Sequence, residues 1–270
     1  MLPSWNATGV FRVGASGSAN GAPIGFLQGQ VAEALTYTSV IIYDAGNPKI
    51  RDFSGDNKTD IFAVHGGDGR IFMYRGNGAG QFIRGAATIG TGFADKRFIV
   101  GPGDFDSDGN EDMLACWPNG NLFLFKGNGA GGWLNGGSPD SAGSGWHNHS
   151  AVTTPGDFDQ DGFPDIISRR EDGHIYLYRG NGAGLWRNGN DPLKLSSGNA
   201  PDAIGEGWLN HTAIWSPADF NGDGFSDVMT RESNGQILLY RGNGTGGWQN
   251  PTRADLIGDG ATWNSMNKFM

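Results

Sequence analysis

Cysteine is nearly absent from this sequence: Cys116 stands alone among 270 residues. A single thiol excludes an intramolecular disulfide, so stability outside a reducing compartment must come from another source, and a bound metal is one candidate. Charge is sparse, at 17% of residues, and its balance is acidic, with a formal net charge of −9. A protein that tracks nucleic-acid phosphates normally carries the opposite excess, so nucleic acid is not an expected partner. No apolar run approaches the roughly 18 residues of a membrane-spanning helix, so no membrane insertion is expected. The opening MLPSWNATGVFRVG lacks the basic and apolar regions of a secretory signal. Metal-protease histidine spacing, a G-x-S-x-G elbow and a Gly-Lys-Ser/Thr phosphate loop are all missing. The chain is therefore read as non-enzymatic.

What the sequence has in excess is glycine, 48 residues, together with 11% aromatics. There is no collagen period, and the aromatic content is too high for a disordered chain. Tight turns between buried strands are the expected product. Four segments repeat: RDFSGDNKTDIFAVHGGDGRIFMYRGNGAGQF, GDFDSDGNEDMLACWPNGNLFLFKGNGAGGW, GDFDQDGFPDIISRREDGHIYLYRGNGAGLW and ADFNGDGFSDVMTRESNGQILLYRGNGTGGW. Their first aspartates, Asp52, Asp104, Asp157 and Asp219, lie 52, 53 and 62 residues apart.

Within each unit, a short β-prone run follows the aspartates and a turn holds Asp-Gly or Asn-Gly (Asp68-Gly69, Asn119-Gly120, Asp172-Gly173, Asn234-Gly235). Such dipeptides accept positive φ and favour hairpins. The return strands IFMY, LFLF, IYLY and ILLY are apolar enough to be buried on both faces. A glycine-rich turn and an aromatic residue follow (Phe82, Trp133, Trp186, Trp248), and a linker leads to a second aromatic (Phe93, Trp146, Trp208, Trp263) and a further strand. About four strands per unit, joined by short connections, predict an all-β fold: a β-propeller of four-stranded blades over residues 38–270. Residues 1–37 fit no unit and are either an N-terminal arm or a decayed fifth blade. The final GATWNSMNKFM reads as a strand that completes the first blade, although Thr38–Asp44 is a competing strand for that place.

The aspartates follow a comb. In the third unit acidic residues occupy positions 1, 3, 5 and 9 (Asp157, Asp159, Asp161, Asp165), with Gly162 at 6 and the Phe163 carbonyl at 7. Alternate oxygens on a sharply bent loop suit Ca2+, a hard cation that takes six to eight oxygen ligands. The second loop is equally complete, with Asp104, Asp106, Asp108, the Asn110 carbonyl and Asp112. The fourth has Asp219, Asn221, Asp223, the Phe225 carbonyl and Asp227. The first, with Asp52, Ser54, Asp56, the Lys58 carbonyl and Asp60, is the weakest, because a serine replaces a carboxylate and Asn57 replaces the bend glycine. Fourteen of the 28 acidic residues sit at these positions. Four Ca2+ ions, one per repeat, would bring the chain close to neutrality. Repetition in four similar sets fits a structural metal, whereas a glycosidase needs one special carboxylate pair.

The pattern D-F-[DN]-x-D-G-x-x-D followed by a hairpin and a GNG turn resembles FG-GAP/VCBS repeats, the calcium-loop blades of integrin-like propellers. The run G-x-G-W…DFDxDGxxD…LYRGNGxGGW is similar to repeats of secreted actinobacterial hydrolases and phage virion proteins. The resemblance covers about residues 38–270 and implies a calcium-stabilised lectin-like or adhesive propeller, extracellular or on a virion surface. Candidate ligand-binding residues are Trp146 with His147 and His149, Trp208 with Asn210 and His211, and Trp133, Trp186 and Trp248, whose rings suit stacking on a glycan or cell-wall polysaccharide. The alternative is a structural decoration protein of a virion or other assembly, docked on a protein partner through residues 1–37. Chelation with excess EDTA is expected to lower the melting temperature substantially and added calcium to restore it, as read by thermal melts. An unchanged melt would remove the stabilising role from the loops.

Overall fold

In the computed structural model, residues 37–41, 52–187, 202–250, 254–260 and 263 are described. The arm or decayed blade before residue 37 and the terminal strand after Trp263 lie outside these residues. Among these described residues, sixteen strands form four antiparallel sheets of four. The first holds β1 (Tyr37–Ile41), β2 (Asp60–His65), β3 (Ile71–Arg75) and β4 (Ala87–Gly90). The second holds β5 (Phe98–Gly103), β6 (Asp112–Cys116), β7 (Leu122–Phe125) and β8 (Asp140–Gly143). The third holds β9 (His149–Gly156), β10 (Asp165–Arg170), β11 (Ile175–Tyr178) and β12 (Asp202–Gly205). The fourth holds β13 (His211–Ala218), β14 (Asp227–Glu232), β15 (Ile237–Tyr240) and β16 (Asp255–Gly258). Each sheet is a meander in chain order, and the first strands of neighbouring sheets lie beside one another. This is a β-propeller of four blades, with the aspartate loops joining the first strand of each blade to the second.

The hairpin dipeptides behave as their chemistry requires. Gly69, Gly120, Gly173 and Gly235 all have φ between 66° and 89°, where a side chain is strained. The first glycine of each GNG turn is required for a different reason. A Cβ on Gly127, Gly180 or Gly242 would sit 2.0–2.2 Å from the carbonyl oxygen of Glu111, Pro164 or Ser226. That close approach lets each of these amides reach the last aspartate of its own loop.

The core lies between the blades rather than within any one of them. Phe53, Phe105 and Phe158, the phenylalanines of the first three aspartate loops, are at most 1% exposed. Each packs on the tryptophan after the next blade's glycine turn: Phe53 on Trp133, Phe105 on Trp186 and Phe158 on Trp248, with ring centroids 4.7, 5.0 and 5.4 Å apart. The same three indoles donate Nε1–H back to the outer strand of the preceding blade, at the Ile89, Ala142 and Ile204 carbonyls (2.6, 2.7 and 2.7 Å). Backbone bonds from Gly131 to the Phe53 carbonyl (3.0 Å) and from Gly184 to the Phe105 carbonyl (3.1 Å) complete the joint. The blade-to-blade contact thus combines aromatic packing with directed hydrogen bonds in one repeated unit.

Trp186→Phe keeps most of the ring but leaves the buried Ala142 carbonyl without its donor. It is expected to cost roughly 1–3 kcal/mol in urea unfolding, and more than Trp133→Phe, whose site is only half-buried.

Candidate functional site

The aspartate loops are built as ladders of backbone amides donating to carboxylates. In the second loop the Asp104 carboxylate accepts the Asp108 and Gly109 amides (3.0 and 2.9 Å). Asp106 accepts the Asp108 amide (3.2 Å), and Asp108 accepts that of Asn110 (2.8 Å). The third loop repeats this with Asp157, Asp159 and Asp161, the last accepting the Phe163 amide (3.0 Å). In the fourth, Asp219, Asn221 and Asp223 play the same parts, and Phe225 supplies the last amide (3.0 Å). In the first, Asp52 accepts from Asp56 and Asn57, and Asp56 from Lys58. The bend falls where expected, with Gly109, Gly162 and Gly224 at φ 91–96° and Asn57 at φ 60°. A second left-handed residue precedes it: Ser107 and Gln160 stand at φ 60° and 58°, strain that the surrounding amide–carboxylate bonds hold in place.

The ninth position departs from a simple metal cage. Asp112 is fully buried and accepts three amides, from Phe105, Asp106 and Gly127. Asp165 does the same with Phe158, Asp159 and Gly180. Asp227 accepts from Phe220, Asn221 and Gly242, and Asp60 from Ser54 and Gly76. These residues clamp their loop to the blade's glycine turn. A carboxylate has about four acceptor sites, so three amides leave room for one more partner. Burial pushes the Asp112 and Asp165 carboxyls up to about 8, with nearby carboxylates adding to the effect. Burial also raises Asp60, Asp104, Asp157 and Asp227. A divalent cation relieves that cost, so the donor set fits a hard metal.

Among the described residues, carboxylate oxygens gather within 4.8 Å of one another in two loops, at Asp104, Asp106 and Asp108 and at Asp157, Asp159 and Asp165. Basic side chains already approach the same loops. Lys126 links Asp106 (3.1 Å) to Asp140 (2.9 Å), Arg179 links Asp159 to Asp202, and Arg187 pairs with Asp161 (2.7 Å). Lys126 and Arg179 are the basic residues that open the KGNG and RGNG turns, so each turn is tied to its aspartate loop by charge as well as by hydrogen bonds.

The model of the FG-GAP-like repeat matches residues 52–115 and 104–168, which places both matches on the aspartate loops and the blades that carry them. The chain is a β-propeller that carries FG-GAP-like repeats over residues 52–168. No curated protein matches it. Among solved structures it is similar to the BP39L lectin from Burkholderia pseudomallei, at 19% identity and a TM-score of 0.46, over 77% of this chain and 54% of that one. It is also similar to BBS1N in complex with ARL6DN, at 10% identity and a TM-score of 0.37, over 81% and 55%. The chain therefore spans about half the length of these structures. No helix among the described residues of this FG-GAP propeller is long and apolar enough to cross a membrane.

The tryptophans of the propeller are placed differently from a row of sugar platforms. Trp146 is 1% exposed, with His149, Tyr178 and Trp186 rings 4.5–5.6 Å from its own. Trp208 is packed in the same way by His211, Tyr240 and Trp248. These indoles, with Trp186 and Trp248, have no face left for a sugar, because the neighbouring blade occupies it. His149 and His211 are buried with them. The Tyr178 and Tyr240 hydroxyls bond Nε2 of these two rings (3.4 and 3.1 Å), and His149 Nδ1 also bonds the Ser168 hydroxyl. Only His147 and Asn210 of those polar neighbours are exposed.

The joint between the first and second blades breaks this repeat. Phe93, Lys96, Ala115, Trp117 and Phe125 stand where the next joint has Trp146, His149, Ser168, Arg170 and Tyr178. The smaller Phe93 does not fill the slot, and a cleft of about 370 Å³ opens, bounded by Phe93, Lys96, Trp117, Phe125 and Trp133 and by the glycine-rich rims Gly90–Gly92 and Gly136–Gly137. Trp117 stacks on Phe125 (6.1 Å, 9° between planes), and the Lys96 ammonium lies 4.5 Å over the Trp117 ring. Lys96 also bonds the Gly92 carbonyl (2.7 Å) and pairs with Asp95. Of the predicted ligand residues, Trp133 alone reaches this cleft. Trp117 and Lys96 carry no repeat signal, since they are departures from the repeat.

Burial holds the imidazoles low, His149 at about 3 with Arg170 adding to the effect, and His211 at about 4. The unfolded chain takes up these protons near 6.5 and the folded chain does not, so their contribution is full above pH 6.5 and is lost as pH falls toward 4. Because the buried Asp112 and Asp165 carboxyls change stability in the opposite sense over the same range, the loss is read as a difference: in denaturant melts from pH 7 to 4 the stability gap between the native chain and His149→Gln should shrink by about 1 kcal/mol per pH unit.

Proposed function

We propose that this FG-GAP propeller is a non-enzymatic, calcium-stabilised carbohydrate-binding or adhesive protein. The aspartate loops hold Ca2+, one per repeat, and the cleft between the first and second blades holds the sugar. The observation that carries the reading is that cleft. It presents the half-buried aromatic residues Trp117 and Trp133 beside backbone-rich glycine rims, at the one joint where the buried Trp–His–Tyr cluster is missing. Small-molecule sites commonly combine apolar and aromatic walls with a few fixed polar groups. The apolar face of a pyranose suits an indole wall, and its hydroxyls suit carbonyl and amide groups at the rim. The Lys96 ammonium stiffens the Trp117 wall from one side.

Calcium in this reading supports the site from a distance. Phe53 belongs to the first aspartate loop and packs on Trp133, so ordering the loop also orders one wall of the cleft. The supporting observations are the buried, raised carboxyls and the matched amide ladders of the four loops.

Tryptophan-fluorescence titration with chitin-type and peptidoglycan-type oligosaccharides, in calcium buffer, tests the glycan reading. Saturable quenching is expected, and Trp117→Ala should weaken it at least tenfold while far-ultraviolet circular dichroism at the assay temperature stays native, although the melting temperature falls because Trp117 packs on Phe123 and Phe125. No response to either sugar class, or an undiminished response in Trp117→Ala, would overturn this assignment of the cleft.

A further inference from the structure

Among the described residues that line the cleft between the first and second blades, Lys96 is the only charged one. The rest of the wall is aromatic, aliphatic or glycine, with Thr91 as its one hydroxyl. Local structure brings the ammonium there. Gly92 has φ 81° and the Lys96 amide donates to the Phe93 carbonyl (3.4 Å), so the chain turns back on itself. The Lys96 side chain is 5% exposed, and its ammonium donates to the Gly92 carbonyl (2.7 Å) and lies 4.5 Å over the Trp117 ring. Its counter-ion is Asp95, whose own side chain is 65% exposed. An ammonium has three donors; Gly92 and Asp95 take two, and a third remains for a guest. The next joint shows the contrast. There the cation is Arg170, 6% exposed and 4.1 Å over the Tyr176 ring, inside a closed cluster. In the first joint Trp117 takes the place of that arginine, and the charge moves to Lys96, beside open space.

Given the cleft as the sugar site proposed above, we infer that it selects a sugar bearing a single carboxylate, such as a uronic acid or an amino sugar with a lactyl ether, and that Lys96 is the residue that reads it. An ammonium and a carboxylate form a charge-assisted hydrogen bond, stronger than a neutral one. A wall with few other polar side chains leaves that bond to decide between sugars. Asp95 yields its place readily, because an ion pair with one partner largely in water contributes little. One cation matches one charge. The chain's net charge of −9 repels a polymer charged at every unit. A phosphate monoester carries about −1.5 to −2 and calls for more than one ammonium.

Tryptophan-fluorescence titrations of the full chain in calcium buffer compare N-acetylmuramic acid with its methyl ester, and glucuronic acid with glucose. Each acid should bind about tenfold tighter than its neutral counterpart, and high salt should shrink that ratio. Lys96→Met keeps the stem and should bring the ratio close to one. Asp95→Asn, at an exposed position, removes the competing carboxylate and should raise it. A merely structural Lys96 would change both affinities together and leave the ratio where it was. Neutral sugars that bind as well as the acids, or a ratio unmoved in Lys96→Met, would rule out the carboxylate while leaving the cleft as a sugar site. Tighter binding of a glucose phosphate than of either acid would put a phosphate in the carboxylate's place. No binding of any of these sugars would remove the cleft assignment and its selectivity together.

Discussion

A phenylalanine from each of the first three aspartate loops is wedged against the tryptophan that follows the next blade's glycine turn, and the rest of the propeller depends on that contact. It fastens the loop, because the phenylalanine is flanked by loop aspartates whose carboxylates are already committed to backbone amides. It fastens the turn, because the same indole is hydrogen-bonded to the preceding outer strand. A sheet with two apolar faces cannot stand alone in water, so each blade requires its neighbour, and the wedge sets how closely the two approach. Aromatic pairs of this kind contribute about 0.5–1.5 kcal/mol beyond the area they bury.

The wedge also couples the acidic loops to the fold. The loop backbone is bent through two left-handed positions, and its last aspartate is buried under three amides. A ligand that recognises only this folded loop stabilises the whole joint by mass action. The carboxyls pushed up by burial mark where such a ligand gains most, while Lys126, Arg179 and Arg187 offset part of the charge. The loops are therefore both structural pins and the strongest cation-binding candidates among the described residues.

Repetition and its failure divide the labour of the molecule. Where the Trp–His–Tyr cluster is complete, the joint is closed. Where Phe93 and Lys96 replace the tryptophan and histidine, space is left over, and Trp117 turns that space into an aromatic-walled cleft. Among the described residues, room for a partner is thus found where the repeat is imperfect.

The blade, its turns and its acidic loops were legible from local chemistry alone. Asp-Gly and Asn-Gly dipeptides force hairpins, near-continuous apolar runs form strands buried on both faces, and alternating aspartates with a bend residue make a tight acidic loop whatever surrounds it. The Asn57 bend was readable on the same ground. The role of each tryptophan was not. Trp133 and Trp186 follow nearly identical turns, yet one lines a cleft and the other is sealed, because the difference lies in Phe93 and Trp146 on other strands. The ninth aspartate reads as a metal ligand, and the fold adds to it a glycine amide brought from the far side of a hairpin. Sequence determines what short-range sterics and periodicity can encode; exposure of a ring and the partners of a buried carboxylate depend on which surfaces meet, and only the packed blades decide that.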